Sequence, residues 1–419
     1  MISPSHSASL PLFARVRQHA AREDLHEITD IEGAVAAQMA ALGVDDRLAG
    51  GKRIAITAGS RGIANMDRTL RAIAAYVRGK GGSPFIVPAM GSHGGATAEG
   101  QRELLRHYGI TEETMGCPIL SSMEVEYLGD TADGTPVYCD KNACHADGII
   151  ACNRVKPHTD FSAPNESGVL KILAIGLGKE KGASAIHLAG LARNVHDVGA
   201  AMLERAPVLG AIALVEDSLD RTCLIQAVRR EGFVAEDARL QELARSICPR
   251  LPMDRLDLLV VKELSKAYSG TNMDTKVIGR IRVPGTPEPE RPQIHTIVAL
   301  RLSPVSCGNA TGIGLADYTT RAFFNDIDFE ATRVNVDTST YLERGKIPLF
   351  WDTEREAIEA GVRHTGVEDP RRLRAAVIEN TLHLGTLLVS EAVLDEHPEL
   401  EILERDVALS FDGDGRLLD

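Results

Sequence analysis

The chain has 419 residues, of which 44% are hydrophobic, and a formal net charge of −13. A single hydrophobic core stops growing at roughly 250 to 300 residues, so two domains are expected, with enough apolar content to build both. The acidic balance excludes nucleic acid and anionic membrane as general partners, because either needs a basic surface.

The first thirty residues run through Arg15, Arg17, Arg22, Glu23 and Asp24 without the apolar segment of a secretory signal. No stretch reaches the ~18 apolar residues of a membrane span, and a cytoplasmic protein is expected. Residues 53–57 form a short apolar run ending in Ala58-Gly59-Ser60-Arg61-Gly62, and residues 66–78 place Leu70, Ile73, Ala74 and Val77 at helical spacing. The pattern repeats with a strand over 84–88, a loop over 89–97 containing Gly91-Ser92-His93-Gly94-Gly95, and a helix from residue 98 to about residue 108. A third strand, 148–152, leads into Lys156-Pro157-His158. In an open parallel sheet these loops leave the carboxyl ends of the strands, where such sheets bind ligands, so Arg61, His93 and His158 can share one crevice.

Seven cysteines scattered through the chain fit reduced thiols better than a disulfide framework. Cys139, Cys144, His145 and Cys152 lie close in sequence, but their spacing matches zinc sites poorly. Residues 169–175 are apolar except for Lys171. Burying an unpartnered ammonium costs on the order of several kcal/mol, so Lys171 is paired, snorkelling or used. Arg154, Lys156, Lys171, Lys179 and Lys181 together offer a local basic patch for an anionic substrate.

Residues 183–205 read as a helix holding His187, 209–215 as a strand, and 235–247 as a helix ending at the proline-bearing break 248–252, taken as the linker. The second half restarts with a strand over 256–261 and has further apolar runs at 295–300 and 375–378. Its glycine-rich pieces, 269–274 and 308–314, lack the GxGxxG and GxxxxGK[ST] spacings of nucleotide sites. The expected architecture is two α/β domains with mainly parallel sheets, 1–254 and 255–419, with the active-site cleft between them. The first would carry the cofactor and acid/base residues and the second would close over the cleft.

Lys171 and His187, sixteen residues apart, with Gly176 and Lys181 between them, His158 and His93 before them and Arg61 at the first strand end, form an ordered set. This set resembles the nickel-pincer nucleotide-dependent lactate racemase family, over most of the N-terminal half. The resemblance implies that Lys171 tethers the pincer group, a pyridinium-3-thioamide-5-thiocarboxylate mononucleotide, through a thioamide and that His187 ligates its nickel. It further implies Gly176 and Lys181 as cofactor contacts, His93 and His158 as the acid/base pair, and Arg61 as the substrate-side arginine. Departures are Ala58 and Gly62 in place of an acid and a proline, a His93 loop without its arginine, and three extra residues between His158 and Lys171. The family's glutamine and lysine substrate contacts in the second domain have no clean match, and Asp274 and Lys276 are taken in their place.

The chemistry accounts for these residue types. The carboxylate of a 2-hydroxy acid disfavours a carbanion at the neighbouring carbon, and moving a hydride avoids it. Nickel held by sulfur, carbon and imidazole suits a square-planar geometry. Two bases must handle the hydroxyl proton on the two faces, and an imidazole pKa near ~6.5 serves both directions. Arginine can hold a carboxylate bidentately, and Lys171 acts as a nucleophile only in its neutral form. The implied activity is an isomerase, a racemase or epimerase of a small 2-hydroxy acid, with cofactor-biosynthesis proteins as partners. Two alternatives from other classes are a mononuclear metal hydrolase ligated by His93, His158 and His187, and a non-catalytic binding protein for a small anion.

Overall fold

A computed structural model of the chain describes residues 9–18, 25–59, 62–159, 161–217, 220–248 and 250–418. The chain divides into two compact units: Arg22–Cys248 is contiguous, and the other joins Met1–Ala21 to Pro249–Asp419.

The contiguous unit is built on a five-stranded sheet in the order Ser83–Pro88, Arg53–Ala58, Gly148–Arg154, Val208–Glu216, Thr222–Arg229. The first four strands run parallel and the last is antiparallel. Parallel strands are covered on both faces, which is why Val208–Glu216 is buried at every residue through Val215. Side chains alternate: Ile54 and Ile56 join the core of Val35, Leu70 and Ile73, whereas Ala55 joins that of Leu173, Val198 and Met202. Fully burying one such isoleucine is worth ~1.5–3 kcal/mol.

The expected helix over 66–78 is Met66–Gly79, its buried stripe Met66, Leu70, Ile73, Ala74 and Val77 facing the sheet. Thr97 starts the next helix, Ala98–His107, its hydroxyl accepting the Gly100 N–H at 3.0 Å. The single helix expected over 183–205 is two, Lys179–Ala189 and Leu191–Arg205. They are broken at Gly190, whose φ of +100° lies outside the helical region.

Lys171 ends a short helix, Val169–Lys171, that continues into a π-helical stretch, Ile172–Gly176. Asp237, on the helix Phe233–Ile247, fixes where this segment starts. Its Oδ1 accepts the N–H groups of Val169 (2.8 Å) and Leu170 (3.3 Å), and its Oδ2 accepts from Asn165 Nδ2 at 2.9 Å. These satisfy helix-terminal donors that have no intrahelical partner. Burial raises the Asp237 pKa above its ordinary 3.8, against the hydrogen bonds that lower it.

The second unit has an eight-stranded sheet in the order Leu349–Trp351, Tyr318–Thr320, Gln293–Leu302, Arg255–Leu264, Ala375–Ile378, Thr386–Ser390, Phe13–Arg17, Glu401–Val407. Its first five strands are parallel, and Thr386–Ser390, Phe13–Arg17 and Glu401–Val407 pair antiparallel. The fold is thus α/β with mainly parallel sheets. The expected boundary differs in two ways. The first strand, with Phe13, Ala14 and Val16 buried, completes the sheet of the C-terminal unit rather than the N-terminal one, and the division falls at residue 248 instead of 254. Among the described residues no helix is long and apolar enough to cross a membrane.

Placing a charge at fully buried Val16, as Val16→Asp, should lower unfolding stability by about 3 kcal/mol or more, read by chemical denaturation. A pH series tests Asp237. Its raised folded-state pKa means that this group favours the fold most below pH 3.8, and that this contribution is lost as pH rises through the folded-state pKa. Urea unfolding of Asp237→Asn should therefore gain on the unaltered chain across that rise, and a difference constant with pH would rule out the buried carboxyl as its source.

Candidate active site

Three loops leave the carboxyl ends of Arg53–Ala58, Ser83–Pro88 and Gly148–Arg154, the ligand-binding end of a parallel sheet. Arg61, on the first, lies outside the described residues. His93, on the second, is exposed; its N–H donates to Met90 O at 3.1 Å, and its carbonyl accepts from Gln101 Nε2 at 3.2 Å.

This loop interlocks with the segment after Lys171. Gly91 has φ +59°, and a Cβ there would stand 3.2 Å from Ile175 Cγ2 and 3.5 Å from Ala183 Cβ. A Cβ on Gly176 would fall 2.7 Å from Ala89 O, and Gly91 N–H donates to Gly176 O at 3.2 Å. Only glycine at both places lets the two backbones approach this closely. Ile175 lies four residues after Lys171, and Ala183 four before His187. Ala183 and His187 therefore share a face of the helix Lys179–Ala189.

Lys171 is half-exposed while its neighbours Val169, Leu170 and Ile172 are buried. π-helical turns such as the one that follows it are rare and concentrate at functional sites. His187 is half-buried, and Lys181 is exposed. The end of the His187 helix is held by Asn194 Nδ2, which donates to Ala189 O (3.0 Å) and Gly190 O (2.8 Å).

His158 is set by a buried carboxylate. Its N–H donates to Glu166 Oε2 at 2.6 Å, and its ring stacks on Phe161 with centroids 4.5 Å apart. Glu166 also accepts from Ala163 N at 3.1 Å and pairs with Arg245 at 2.8 Å, while Lys156 N–H donates to Ser167 O at 2.7 Å. The longer stretch between His158 and Lys171 is thus folded around Glu166.

The basic patch expected from the sequence is not one solvent-facing cluster. Arg154 pairs with Glu216, both largely buried, and Lys179 is completely buried against Asp140 at 3.3 Å. Both acids come from distant sequence, so reading the patch linearly missed the neutralisation. Lys179 was expected only as part of that patch, and its buried partner Gln101 was not singled out by the sequence.

His93, His158 and His187 do not assemble a metal centre. Among the described residues no group of three or more His, Cys, Asp or Glu is placed to hold an ion, which removes the footing of the hydrolase alternative. Cys152 is a core residue whose thiol is pushed up to about 12 by burial. In the other unit, Asp274 caps the helix Thr275–Ile278 by accepting the Lys276 N–H at 3.0 Å, and its own N–H donates to Thr381 Oγ1 at 2.8 Å. Asp274 is buried and Lys276 half-buried.

Residues 9–198 match the family model described as lactate racemase N-terminal domain. No curated protein matches the sequence. Among solved structures, the chain is similar to the lactate racemase apoprotein from Thermoanaerobacterium thermosaccharolyticum, with a TM-score of 0.54 and 14% sequence identity over 88% of this chain and 99% of that one. At that identity the likeness speaks for the fold. Residues 9–198 thus match the lactate racemase N-terminal domain, and the chain carries a fold similar to that of the lactate racemase apoprotein.

Proposed function

We propose that the chain is a racemase or epimerase of a 2-hydroxy acid working with a nickel-pincer nucleotide, carried covalently by Lys171 and ligated at its nickel by His187. The observation that carries this reading is the interlock of Gly91 with Ile175, Gly176 and Ala183, which joins the His93 loop to the segment bearing Lys171 and His187. The donor set fits the cofactor. A pincer group brings sulfur and carbon donors of its own and asks the protein for one amine and one imidazole. A half-exposed lysine, a half-buried histidine and no larger cluster of ligating side chains among the described residues agree with that demand. When bound, the group would supply a centre that takes up hydrogen with its electron pair and returns it.

The remaining work falls to the chain's own residues. Lys171 supplies the anchoring amine, which is nucleophilic only when neutral. Gly176 and Lys181 belong to the same cofactor-bearing stretch. His93 and His158, on loops from different strands, take the hydroxyl proton on one face and give it back on the other. Arg61 holds the carboxylate through its planar fork. Asp274 and Lys276 are the proposed substrate contacts of the second unit. The partners are a small 2-hydroxy acid and the proteins that make and load the cofactor, in the cytoplasm, without nucleic acid or membrane.

Intact-mass measurement of protein from a nickel-replete, cofactor-competent host should show an added mass together with bound nickel. Lys171→Ala should abolish both, and His187→Ala should keep the mass and lose most of the nickel. Nickel content unchanged in both variants would overturn the assignment. His93→Asn and His158→Asn should each lower kcat about 10²- to 10⁴-fold in assays of candidate 2-hydroxy acids, with much smaller changes in KM. Run in D2O, inversion by hydride movement leaves the α-position free of solvent deuterium; its incorporation would point to carbanion chemistry instead.

A further inference from the structure

We propose that Lys179, acting through Gln101, is a positioning residue that sets the His93 loop. The catalytic meaning of this role rests on the racemase reading, but the role itself does not. Lys179 has no exposed side-chain surface and opens the helix that carries His187. Its ammonium donates to Pro88 O, at the end of the strand preceding the His93 loop, and to Gln101 Oε1 at 3.1 Å, and it pairs with Asp140 Oδ2 at 3.3 Å. The ammonium thus makes two hydrogen bonds and one ion pair.

Gln101, also completely buried, spends its amide on the loop: Nε2 donates to Gly91 O at 2.9 Å and His93 O at 3.2 Å. The cation decides which way this amide faces. Its oxygen must meet the ammonium, so its nitrogen is turned toward the two loop carbonyls. An apolar side chain at position 179 would leave the amide free to invert and would present an oxygen to those carbonyls.

Lys179 carries two costs that packing alone does not explain. Its φ is +54°, in the left-handed region that favours glycine. It is also half of a buried ion pair, in which burial pushes Lys179 down and Asp140 up while each charge draws the other back. Such pairs add little stability over apolar packing, and their best-attested use is to specify one arrangement. Here that arrangement joins the strand end before His93, the His93 loop and the start of the His187 helix. Asp140 is itself tied down: its Oδ1 accepts the Ala143 N–H at 3.0 Å and its own N–H donates to Leu177 O at 2.6 Å.

Gln101→Glu separates positioning from mere anchoring, because the carboxylate keeps its contact with the Lys179 ammonium but offers no N–H to Gly91 or His93. In the full chain without cofactor, amide exchange over 89–97 should quicken about tenfold or more while the Lys179–Ala189 helix stays protected, and the imidazole resonances of His93 should shift while those of His158 stay put. Gln101→Leu should release the loop in the same way. In the loaded enzyme kcat should fall about 100-fold with KM little altered, as expected for a misplaced base. Wild-type exchange and an unmoved His93 resonance in both variants would overturn the proposal, as would a freed loop with unchanged kcat. A freed loop in a chain that inverts no hydroxy acid even unaltered supports the positioning role and counts only against the racemase reading.

Discussion

The close approach of two stretches of main chain, residues 89–91 and 175–176, is the constraint on which the candidate site depends. A hydrogen bond from Gly91 to Gly176 is modest by itself, worth about 0.5–1.5 kcal/mol net. Its importance is geometric. Side chains would hold these segments apart, and with them the loop of one histidine and the helix of another. The site is therefore defined first by backbone, and its reactive side chains project from a frame that tolerates few substitutions.

Buried carboxylates do the positioning around that frame. Asp237 sets the start of the Lys171 segment, Glu166 folds the His158 loop, and Asp140 holds Lys179. Each accepts backbone N–H groups or a cation that would otherwise be stranded in the interior. A carboxylate with several donors is a rigid fixture, because moving it strands all of them at once. The acidity of this chain is thus partly an internal scaffold.

Much of the frame was legible in the sequence. The strand, loop and helix units carrying Arg61 and His93 stood out because parallel strands are continuous apolar runs and their helices bear stripes at 3.6 spacing. The ordered positions of His93, His158, Lys171, Gly176 and His187 indicated a family that residues 9–198 then matched. What escaped was non-local. Lys179 looked like one more surface lysine, and nothing near it in sequence announces Asp140 or Gln101. The strand Phe13–Arg17 was assigned to the wrong unit because its partners, Thr386–Ser390 and Glu401–Val407, lie at the other end of the chain. The break at Gly190 was missed because a lone glycine within a helical pattern is usually tolerated.

That first strand also bears on how the molecule comes into being. The contiguous unit holds every strand of its sheet within Arg22–Cys248 and can close as soon as that length has left the ribosome. In the other unit, the strand Phe13–Arg17 has both its neighbours, Thr386–Ser390 and Glu401–Val407, made only after the whole contiguous unit. Until they emerge, Phe13–Arg17 waits with unpaired edges and apolar side chains, a risk of misassociation during synthesis. The nested half can thus mature early, while its companion waits for strands made later, which makes the exposed Phe13–Arg17 segment a natural place for chaperone protection.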